Sequence, residues 1–190
     1  MKIQVDKDIH IELLVPVFAE RLFGLTNKNR THLKKWLAWL DLVKTFDDTQ
    51  TFIDTAVHQH NNSEATIFAI LYRGELVGLA GFNHFDNQNK WAAIGYWLCA
   101  SYTGKGVISK VVQKLLEYGF VDSKLNKIEI RCAEKNNKSR AIPERLGFNY
   151  EATLRQCEWL YDHYVDHAVY TMLASEYRAS LSRLSGHLAN

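Results

Sequence analysis

The sequence has 190 residues, 47% of them hydrophobic, and its 23 basic and 21 acidic residues give a formal net charge of +2. A chain of this length and apolar content buries enough surface to fold without disulfides or metals, so we expect one domain over residues 1–190. The balanced charge, with no long run of either sign, argues against a nucleic-acid-binding protein.

The cysteines and the N-terminal segment bear on the compartment. Cys99, Cys132 and Cys157 are odd in number and widely spaced, which argues against a disulfide framework or a CxxC metal site. His163 and His167 resemble a metal pair, but no cysteine joins them and we expect no metal. Charged residues open the chain, and no apolar run approaches the roughly 20 residues that span a bilayer. We therefore expect a cytoplasmic protein without a membrane partner.

The hydrophobic pattern predicts strands and helices along the whole chain. In chain order these are a strand at 9–15, a helix from Pro16 to about Asn29, a helical stretch with Trp36 and Trp39, a helix from a cap at Asp48 or Thr49 to about His60, strands at 65–72, 75–85 and 90–99, a helix from Val107 to about Phe120, a strand at 128–132, a helix ending at Leu146, and a hairpin with arms 151–160 and 165–173. This order predicts an α/β (α+β) fold with mixed strands.

The turn between the strand ending at Cys99 and the helix beginning at Val107 predicts an anion site. Free N–H groups in the first turn of a helix point back toward the preceding loop, where the helix dipole adds about half a positive charge. A diphosphate fits such a cradle. Gly104 and Gly106 permit close backbone approach and positive φ, and Lys105 adds a charge. A strand-turn-helix corner with glycines for geometry alone is the alternative.

Two nucleotide motifs are excluded at this turn. A dinucleotide-binding fingerprint needs a third glycine or alanine where Ser109 stands. A P-loop needs Gly-Lys-Ser/Thr, whereas Gly106 follows Lys105. Neither NAD nor ATP is therefore favoured.

Further segments make a family resemblance specific. These are IGYWLCASYTGKGVISKVV at 94–112, Asn136 and Ser139 with Arg145-Leu146-Gly147-Phe148, and CEWLYDHYVDHAVY at 157–170. Over residues 8–175 the chain resembles the GNAT N-acetyltransferase superfamily. The segments 29–33 (NRTHL) and 36–40 (WLAWL) also match its Rim-type branch, which acetylates the N-termini of ribosomal proteins. The resemblance implies a mostly antiparallel central sheet flanked by helices, acetyl-CoA as co-substrate, and a possible homodimer.

The resemblance also implies which residues hold acetyl-CoA. The pyrophosphate would lie on the amides of Gly104 to Ile108, and the pantetheine would run beside the end of the preceding strand and contact Asn136. The implied binding residues are Trp97, Leu98, Cys99, Thr103, Gly104, Lys105, Gly106, Val107, Ile108 and Asn136. Ser139 would lie near the thioester sulfur as a proton donor, although a plain helix N-cap is an equally good interpretation.

Acetyl transfer to an amine requires a neutral nucleophile, a polarised carbonyl and a stabilised thiolate. Glu158 is the candidate base, because strand alternation places it in phase with Leu154 and Leu160, and apolar surroundings raise the pKa of a carboxylate. The family position carries an acidic residue proposed as base. The alternative is an ion pair or hydrogen bond to a neighbouring strand. A backbone N–H around Leu98 or Cys99 is expected to polarise the carbonyl.

Amine chemistry favours an N-terminal acceptor. An α-amine with pKa near 7.8 is roughly 30% neutral at pH 7.4, against about 0.1% for a lysine side chain. A small amine such as a polyamine or aminoglycoside, and a non-catalytic acetyl-CoA-binding module, are the alternatives. Candidate acceptor-binding residues are Asn29, His32, Trp36 and Trp39. The alternative interpretation is that the two tryptophans are core residues and that Asn29 and His32 are ordinary polar residues of the surface.

The chain departs from the family pattern at three positions. Ser101 replaces the usual glutamine or arginine at the start of the pyrophosphate motif, and Ala38 stands where the branch often has proline. Pro143 lies inside the helix expected after Ser139, where it lacks the N–H that would bond to the carbonyl of Ser139. We expect a distorted or late first turn there, which counts against Ser139 as an acid.

Overall fold

The structure is a computed structural model that describes the backbone of residues 1–187 and the side chains of residues 1–183. The last three residues of the predicted 1–190 domain lie outside the described residues. The elements, in chain order, are β1 Lys2–Gln4, β2 Ile9–Leu13, α1 Ala19–Leu33, α2 Phe46–Asn61, β3 Thr66–Tyr72, β4 Glu75–Asp86, β5 Trp91–Leu98, α3 Val107–Glu117, β6 Lys127–Ala133, α4 Asn137–Arg145, β7 Asn149–Leu160, β8 His163–Leu173 and α5 Ala174–His187.

The described strands form one sheet in the order β1-β2-β3-β4-β5-β6-β8-β7. Among these described strands, only β5 and β6 run parallel, and every other pair is antiparallel. This pattern confirms the predicted α/β fold with a mixed, mostly antiparallel sheet. Within the described residues, no helix is long and apolar enough to cross a membrane.

Helices cover both faces of the sheet and bury separate cores. On one face, α3 contributes the buried side chains Val107, Ile108, Val111, Val112, Leu115 and Leu116. On the opposite face, α1 and α2 pack through Leu22, Ile53 and Ala56 against Ala69 and Leu79 of the sheet. Each fully buried aliphatic side chain contributes about 1.5–3 kcal/mol to folding. The apolar face predicted for the helix after Gly106, which is α3, is therefore the face that packs against the sheet.

Several predicted boundaries change in the structure. Pro16 opens a separate 3₁₀ turn, Pro16–Phe18, and α1 then continues to Leu33, beyond the expected end at Asn29. Trp36 precedes the next helical segment, a 3₁₀ turn over Ala38–Leu42. The N-cap of α2 is Thr45, so the prediction of Asp48 or Thr49 is wrong.

A capping box explains the earlier start of α2. The Asp48 N–H donates to Thr45 Oγ1 at 3.2 Å, and Asp48 Oδ2 accepts from the Thr45 N–H at 2.8 Å. Asp48 is therefore the third residue of the helix and completes the cap that Thr45 begins. Backbone N–H groups of Lys44 and Thr45 hold the pKa of the Asp48 carboxyl below its usual value.

Candidate active site

The loop between β5 and α3 has the geometry of an anion cradle. Gly104 and Gly106 both adopt left-handed backbone conformations, with φ of 78° and 74°. A side-chain-bearing residue reaches this region only with strain, so both positions favour glycine. Gly106 is the N-cap of α3, and the N–H groups of the first helical turn therefore point at the loop. Lys105 lies over the Tyr102 ring, with Nζ 4.5 Å from the ring centroid.

Strands β5 and β6 separate halfway along their length. They pair only from Trp91 to Ile94 and from Lys127 to Ile130. Beyond this point β5 stays with β4 as far as Leu98, while β6 stays with β8 as far as Ala133. The second halves of two neighbouring strands thus face each other across an open gap in the sheet.

The separation of β5 from β6 determines which backbone N–H can donate to a carbonyl bound in the gap. The Cys99 N–H donates to Val77 O at 2.8 Å, so the sheet already uses it. Successive residues in an antiparallel ladder point their N–H groups to opposite sides, which turns the Leu98 N–H away from β4 and toward the gap. Of the two predicted donors, only that of Leu98 is therefore oriented to polarise a carbonyl in the gap.

A cavity of about 560 Å³ passes through this gap. Its lining includes Trp97, which packs with the α1–α2 core, and Tyr96, which packs with the α3 core, so it is open to both faces of the sheet. One side, which we call the acceptor wall, comes from α1, α2 and the segment between them: Leu22, Thr26, Trp36, Leu37, Trp39, Val43, Thr49 and Phe52. The volume lies within the range of small-molecule sites.

Glu158 lines the cavity and is bonded to its neighbouring strand. Its Oε2 lies 2.9 Å from Nε2 of His167 on β8, and the two side chains are 35% and 19% exposed. Sequence analysis left a hydrogen bond to a neighbouring strand as the alternative to a catalytic base at Glu158, and this bond is present. Glu158 nevertheless lines the cavity. The sequence weighed His167 only as part of a metal pair with His163 and argued against that pair, so its bond to Glu158 was not predicted. No group of three or more metal-binding side chains occurs among the described residues.

A bulge in β7 leaves Glu158 on the face of the sheet that strand alternation predicts. Leu154 pairs with His167 and Glu158 pairs with Val165, so residues 155–157 oppose the single residue Asp166. Because the bulge adds two residues, Leu154 and Glu158 keep the same face of the sheet. At its centre Gln156 has a φ of 50°, and its N–H donates to Asp166 Oδ1 at 2.8 Å.

The N-terminus of α4 also lies at the cavity. Asn136 is the N-cap, and its Oδ1 accepts a hydrogen bond of 3.2 Å from the Ser139 N–H. The interpretation of Ser139 as N-cap is therefore wrong, and its hydroxyl is directed elsewhere. Ser139 Oγ lies 3.4 Å from the hydroxyl oxygen of Tyr96 on β5, and both residues line the cavity.

Tyr96 resolves the problem that Pro143 presents. The helix begins at Asn137 and continues through Pro143 to Arg145, so the expected late start is wrong. Since Pro143 has no N–H, the carbonyl of Ser139 lacks its helical partner. The Tyr96 hydroxyl donates to that carbonyl at 3.1 Å. Burial raises the pKa of Tyr96 far above its usual value, so the hydroxyl stays protonated at neutral pH.

Comparison with known proteins identifies the family. Residues 14–149 match the family model described as the acetyltransferase (GNAT) domain. This chain belongs to the GNAT acetyltransferase family.

Two curated acetyltransferases align over nearly the whole chain. The putative ribosomal N-acetyltransferase YdaF of Bacillus subtilis (strain 168) is 34% identical over 175 residues, which cover 92% of this chain and 96% of that protein. The ribosomal-protein-serine acetyltransferase of Escherichia coli (strain K12) is 32% identical over 171 residues, which cover 90% and 96%.

Solved acetyltransferase structures share the fold. RimL, a ribosomal L7/L12 alpha-N-protein acetyltransferase in complex with coenzyme A, superposes with a TM-score of 0.90 at 26% identity, covering 93% of this chain and 99% of that one. The microcin C7 self-immunity acetyltransferase MccE, in complex with acetyl-CoA and AMP, superposes with a TM-score of 0.84 at 32% identity, covering 89% and 94%.

The predicted acceptor residues of this acetyltransferase divide into two groups. Trp36 and Trp39 belong to the acceptor wall, and the Trp39 ring lies 6.4 Å from that of Trp97. Both are half-buried rather than core residues. Asn29 and His32 are not among the residues that line the cavity. Asn29 instead accepts a hydrogen bond of 3.0 Å from the Ala100 N–H and anchors α1 to the cradle loop.

Asn83 of the acetyltransferase was missed by sequence reasoning. It lies at an irregularity in β4 between Phe82 and His84 and lines the cavity, as does Gly95 of β5. A Cβ on Gly95 would come within 2.0 Å of the Asn83 amide nitrogen, so the absence of a side chain at Gly95 lets Asn83 lie there. Tyr96 was also missed, and its signal was available: Pro143 leaves one identifiable carbonyl in need of a donor.

Proposed function

We propose that this acetyltransferase moves the acetyl group of acetyl-CoA directly to the α-amine of a protein N-terminus, with a ribosomal protein as acceptor. The observation that carries the proposal is one cavity, lined by Trp97 next to Leu98 at the end of β5, that brings the Ser139–Tyr96 pair and the Glu158–His167 pair together. These groups come from β5, α4 and the β7–β8 hairpin. The reaction forms an N–C bond, breaks the C–S bond, and moves one proton off nitrogen and one onto sulfur.

The cradle is the proposed site of the acetyl-CoA pyrophosphate. The left-handed glycines at 104 and 106 open the backbone of this loop, and the amides that begin α3 supply donors for phosphate oxygens. The pantetheine would follow the unpaired edge of β5 past Trp97 and Leu98. Asn136 uses its Oδ1 as a helix cap, which leaves its amide NH₂ as the donor to the pantetheine.

Glu158 is the proposed base for the acceptor amine. A carboxylate accepts a proton from nitrogen, directly or through one water, as the amine attacks. His167 holds one carboxylate oxygen at 2.9 Å, which restricts the rotation of the Glu158 side chain. The Leu98 N–H would stabilise the charge that develops on the carbonyl oxygen, because a preorganised donor in a site screened from water requires little reorganisation.

Ser139 is the proposed proton source for the departing thiolate. The Tyr96 hydroxyl donates its one hydrogen to the Ser139 carbonyl, and its oxygen lies 3.4 Å from Ser139 Oγ. Ser139 is therefore the hydroxyl of this pair that can deliver a proton to sulfur. We keep the predicted role of Ser139 and assign Tyr96 to positioning it.

The lining of the cavity supports a peptide acceptor over a polyamine or aminoglycoside. Of the described residues that line it, Glu158 is the only carboxylate, and the acceptor wall contains no charged side chain. A multiply charged small amine would require several carboxylates in its site. The two curated relatives described above are both named for acetylation of ribosomal proteins.

Acceptor profiling tests this proposal. The purified protein is incubated with acetyl-CoA and three acceptors: a peptide with a free N-terminus, the same peptide with a blocked N-terminus and an internal lysine, and spermidine. We expect CoA release and an acetylated α-amine, located by mass spectrometry, with the first acceptor alone. Faster turnover of spermidine, or acetyl-CoA binding with no turnover on any acceptor, would contradict the proposal.

An acceptor of this class implies a cytoplasmic reaction. The free thiols of Cys99, Cys132 and Cys157 are compatible with a reducing compartment. Incubation with purified ribosomal proteins, followed by intact-mass measurement, identifies the acceptor. The homodimer remains a prediction, which light scattering of the purified protein would test.

A further inference from the structure

The chain between α1 and α2 forms a large part of the acceptor wall, and we call residues 34–43 the wall segment. Four of its side chains line the cavity: Trp36, Leu37, Trp39 and Val43. Arg30 of α1 donates hydrogen bonds to the carbonyls of Leu40 and Val43. These bonds fasten the far end of the wall segment to the helix that precedes it. They do not fasten it to the hairpin that carries Glu158.

Tyr161, in the turn between β7 and β8, joins the wall segment to that hairpin. Its hydroxyl donates to the Leu37 carbonyl at 2.6 Å, although the two residues are 124 positions apart in the sequence. Lys34 Nζ of the wall segment lies 4.3 Å from the centroid of the Tyr161 ring. Burial raises the pKa of Tyr161, so its hydroxyl stays protonated at neutral pH. Among the described residues, no other side chain of the hairpin is hydrogen-bonded to the wall segment.

The backbone of Tyr161 is strained. Its φ is 61°, in the left-handed region that glycine and asparagine commonly occupy in turns. The other described non-glycine residues with positive φ all have polar side chains. A non-glycine residue in this region costs about 1–3 kcal/mol and persists only where its surroundings hold it, often at functional sites. The bond to Leu37 is the contact that holds Tyr161 here, which points to a role for this bond at the cavity.

We propose that Tyr161 is a positioning residue, which holds the wall segment in place relative to Glu158 before the acceptor binds. This inference rests on the proposed function. The wall segment and Glu158 line the same cavity, so an acceptor whose amine reaches Glu158 also meets the wall. Without the Tyr161 hydroxyl the wall segment of the free protein can move, and acceptor binding must restore its position. Acetyl-CoA, held at the cradle, does not meet this cost.

Tyr161→Phe tests the positioning role, because it removes the hydroxyl and keeps the ring. With a free-N-terminus peptide, we expect the KM for the peptide to rise by roughly 2- to 10-fold, the range of one neutral hydrogen bond, while kcat at saturating peptide and the KM for acetyl-CoA stay within about twofold. Tyr164→Phe removes an exposed hydroxyl from the same hairpin and should leave all three values unchanged. A merely structural role of Tyr161 would lower the melting temperature without this selective rise.

Limited trypsin digestion examines the wall segment without an acceptor. Trypsin cleaves after Lys34 and Lys35 at the start of the segment, and mass spectrometry locates the cuts. We expect faster cleavage there in Tyr161→Phe than in wild type or Tyr164→Phe, and unchanged cleavage contradicts the positioning role. Wild-type turnover with an unchanged peptide KM in Tyr161→Phe overturns this inference alone, whereas a wild type that acetylates no peptide overturns the proposed function as well. Tyr161→Asn suits the left-handed backbone and provides a second reading if the phenylalanine variant does not fold.

Discussion

One side of the cavity is formed mainly by backbone groups and the other mainly by side chains. The donor side consists of backbone: the left-handed glycines of the cradle, the amides that begin α3, and the unpaired edge of β5. The acceptor side and the proposed chemical groups consist of side chains from α1, α2, α4, β7 and β8. A backbone site depends on a few contiguous residues with the right φ values. A side-chain site depends on how distant segments pack.

This difference predicts how substitutions act. Substitutions on the donor side should alter acetyl-CoA binding because they change the backbone conformation, not because they remove a side-chain contact. Changes on the other side should alter the chemical step or the choice of acceptor. Four substitutions examine this contrast, in order of decreasing effect.

Glu158→Gln should produce the largest loss. A side-chain base contributes about 10²- to 10⁴-fold to rate. We expect kcat with a free-N-terminus peptide to fall within this range at pH 7.4, measured by CoA release, while the KM for acetyl-CoA stays within about twofold. Glu151→Gln removes a charge from the same strand outside the cavity lining and serves as the control. Wild-type turnover in the Glu158 variant would remove this residue as the base.

Tyr96→Phe should lower stability as well as turnover. It leaves the Ser139 carbonyl without a donor, at a cost of about 1–3 kcal/mol in the free energy of unfolding, measured in urea. Pro143→Ala restores a helical N–H to that carbonyl. The cost of Tyr96→Phe should therefore be smaller in the Pro143→Ala background than in wild type. Equal costs in both backgrounds would show that the Tyr96 bond does not compensate for Pro143.

Gly106→Ala should affect the donor side alone. Placing a β-carbon at a φ of 74° costs about 1–2 kcal/mol, equivalent to roughly 5- to 30-fold. The loop of the free variant can relax out of this conformation, and acetyl-CoA binding must restore it. We therefore expect the cost as a higher Kd for acetyl-CoA, measured by calorimetry, with kcat at saturating acetyl-CoA unaltered. Gly24→Ala is the matched control, because Gly24 lies inside α1 and a β-carbon added there would meet no atom within 4 Å. An unchanged Kd in the Gly106 variant would argue against the cradle as the binding site.

Asp48→Asn should have a small, pH-dependent effect on α2, which contributes to the acceptor wall. The folded-state pKa of Asp48 is depressed, so its stabilisation is present above the ordinary value of 3.8 and is lost as pH falls through the folded pKa. Wild type should therefore exceed the variant in melting temperature at pH 7, and the difference should shrink below about pH 4. A difference that stays constant down to about pH 2 would contradict a charge-based contribution.

The phase of Glu158 shows how far sequence reasoning extends. Alternation along β7 predicts that Glu158 shares a face with Leu154, and the structure agrees because the bulge between them adds an even number of residues. Its partner could not be predicted, since His167 reaches Glu158 only through the register of the hairpin. The sequence argued against a metal pair at His163 and His167 but gave His167 no other role, and strand pairing gives it a carboxylate partner.

For some residues the sequence allows two roles, and contacts with distant neighbours determine which role each residue takes. Ser139 is compatible with a cap or an acid in the sequence, and the side chain of Asn136 takes the cap. Pro143 predicts a disturbed helix when only the helix is considered, yet a hydroxyl from β5 supplies the missing hydrogen bond. Asn29 follows the expected helix pattern but bonds the cradle loop instead of facing the acceptor.

The sequence by itself determined the cradle, the helix that follows it, the alternation of the hairpin strands and the family, because each depends on contiguous residues or a short repeat in hydrophobicity. The tertiary structure decided the gap between β5 and β6, the orientation of the Leu98 N–H, the Glu158–His167 and Ser139–Tyr96 pairs, and the bond from Tyr161 to Leu37. Those features arise where strands separate and distant elements meet. No local pattern encodes such geometry, because it follows from the packing of the whole sheet.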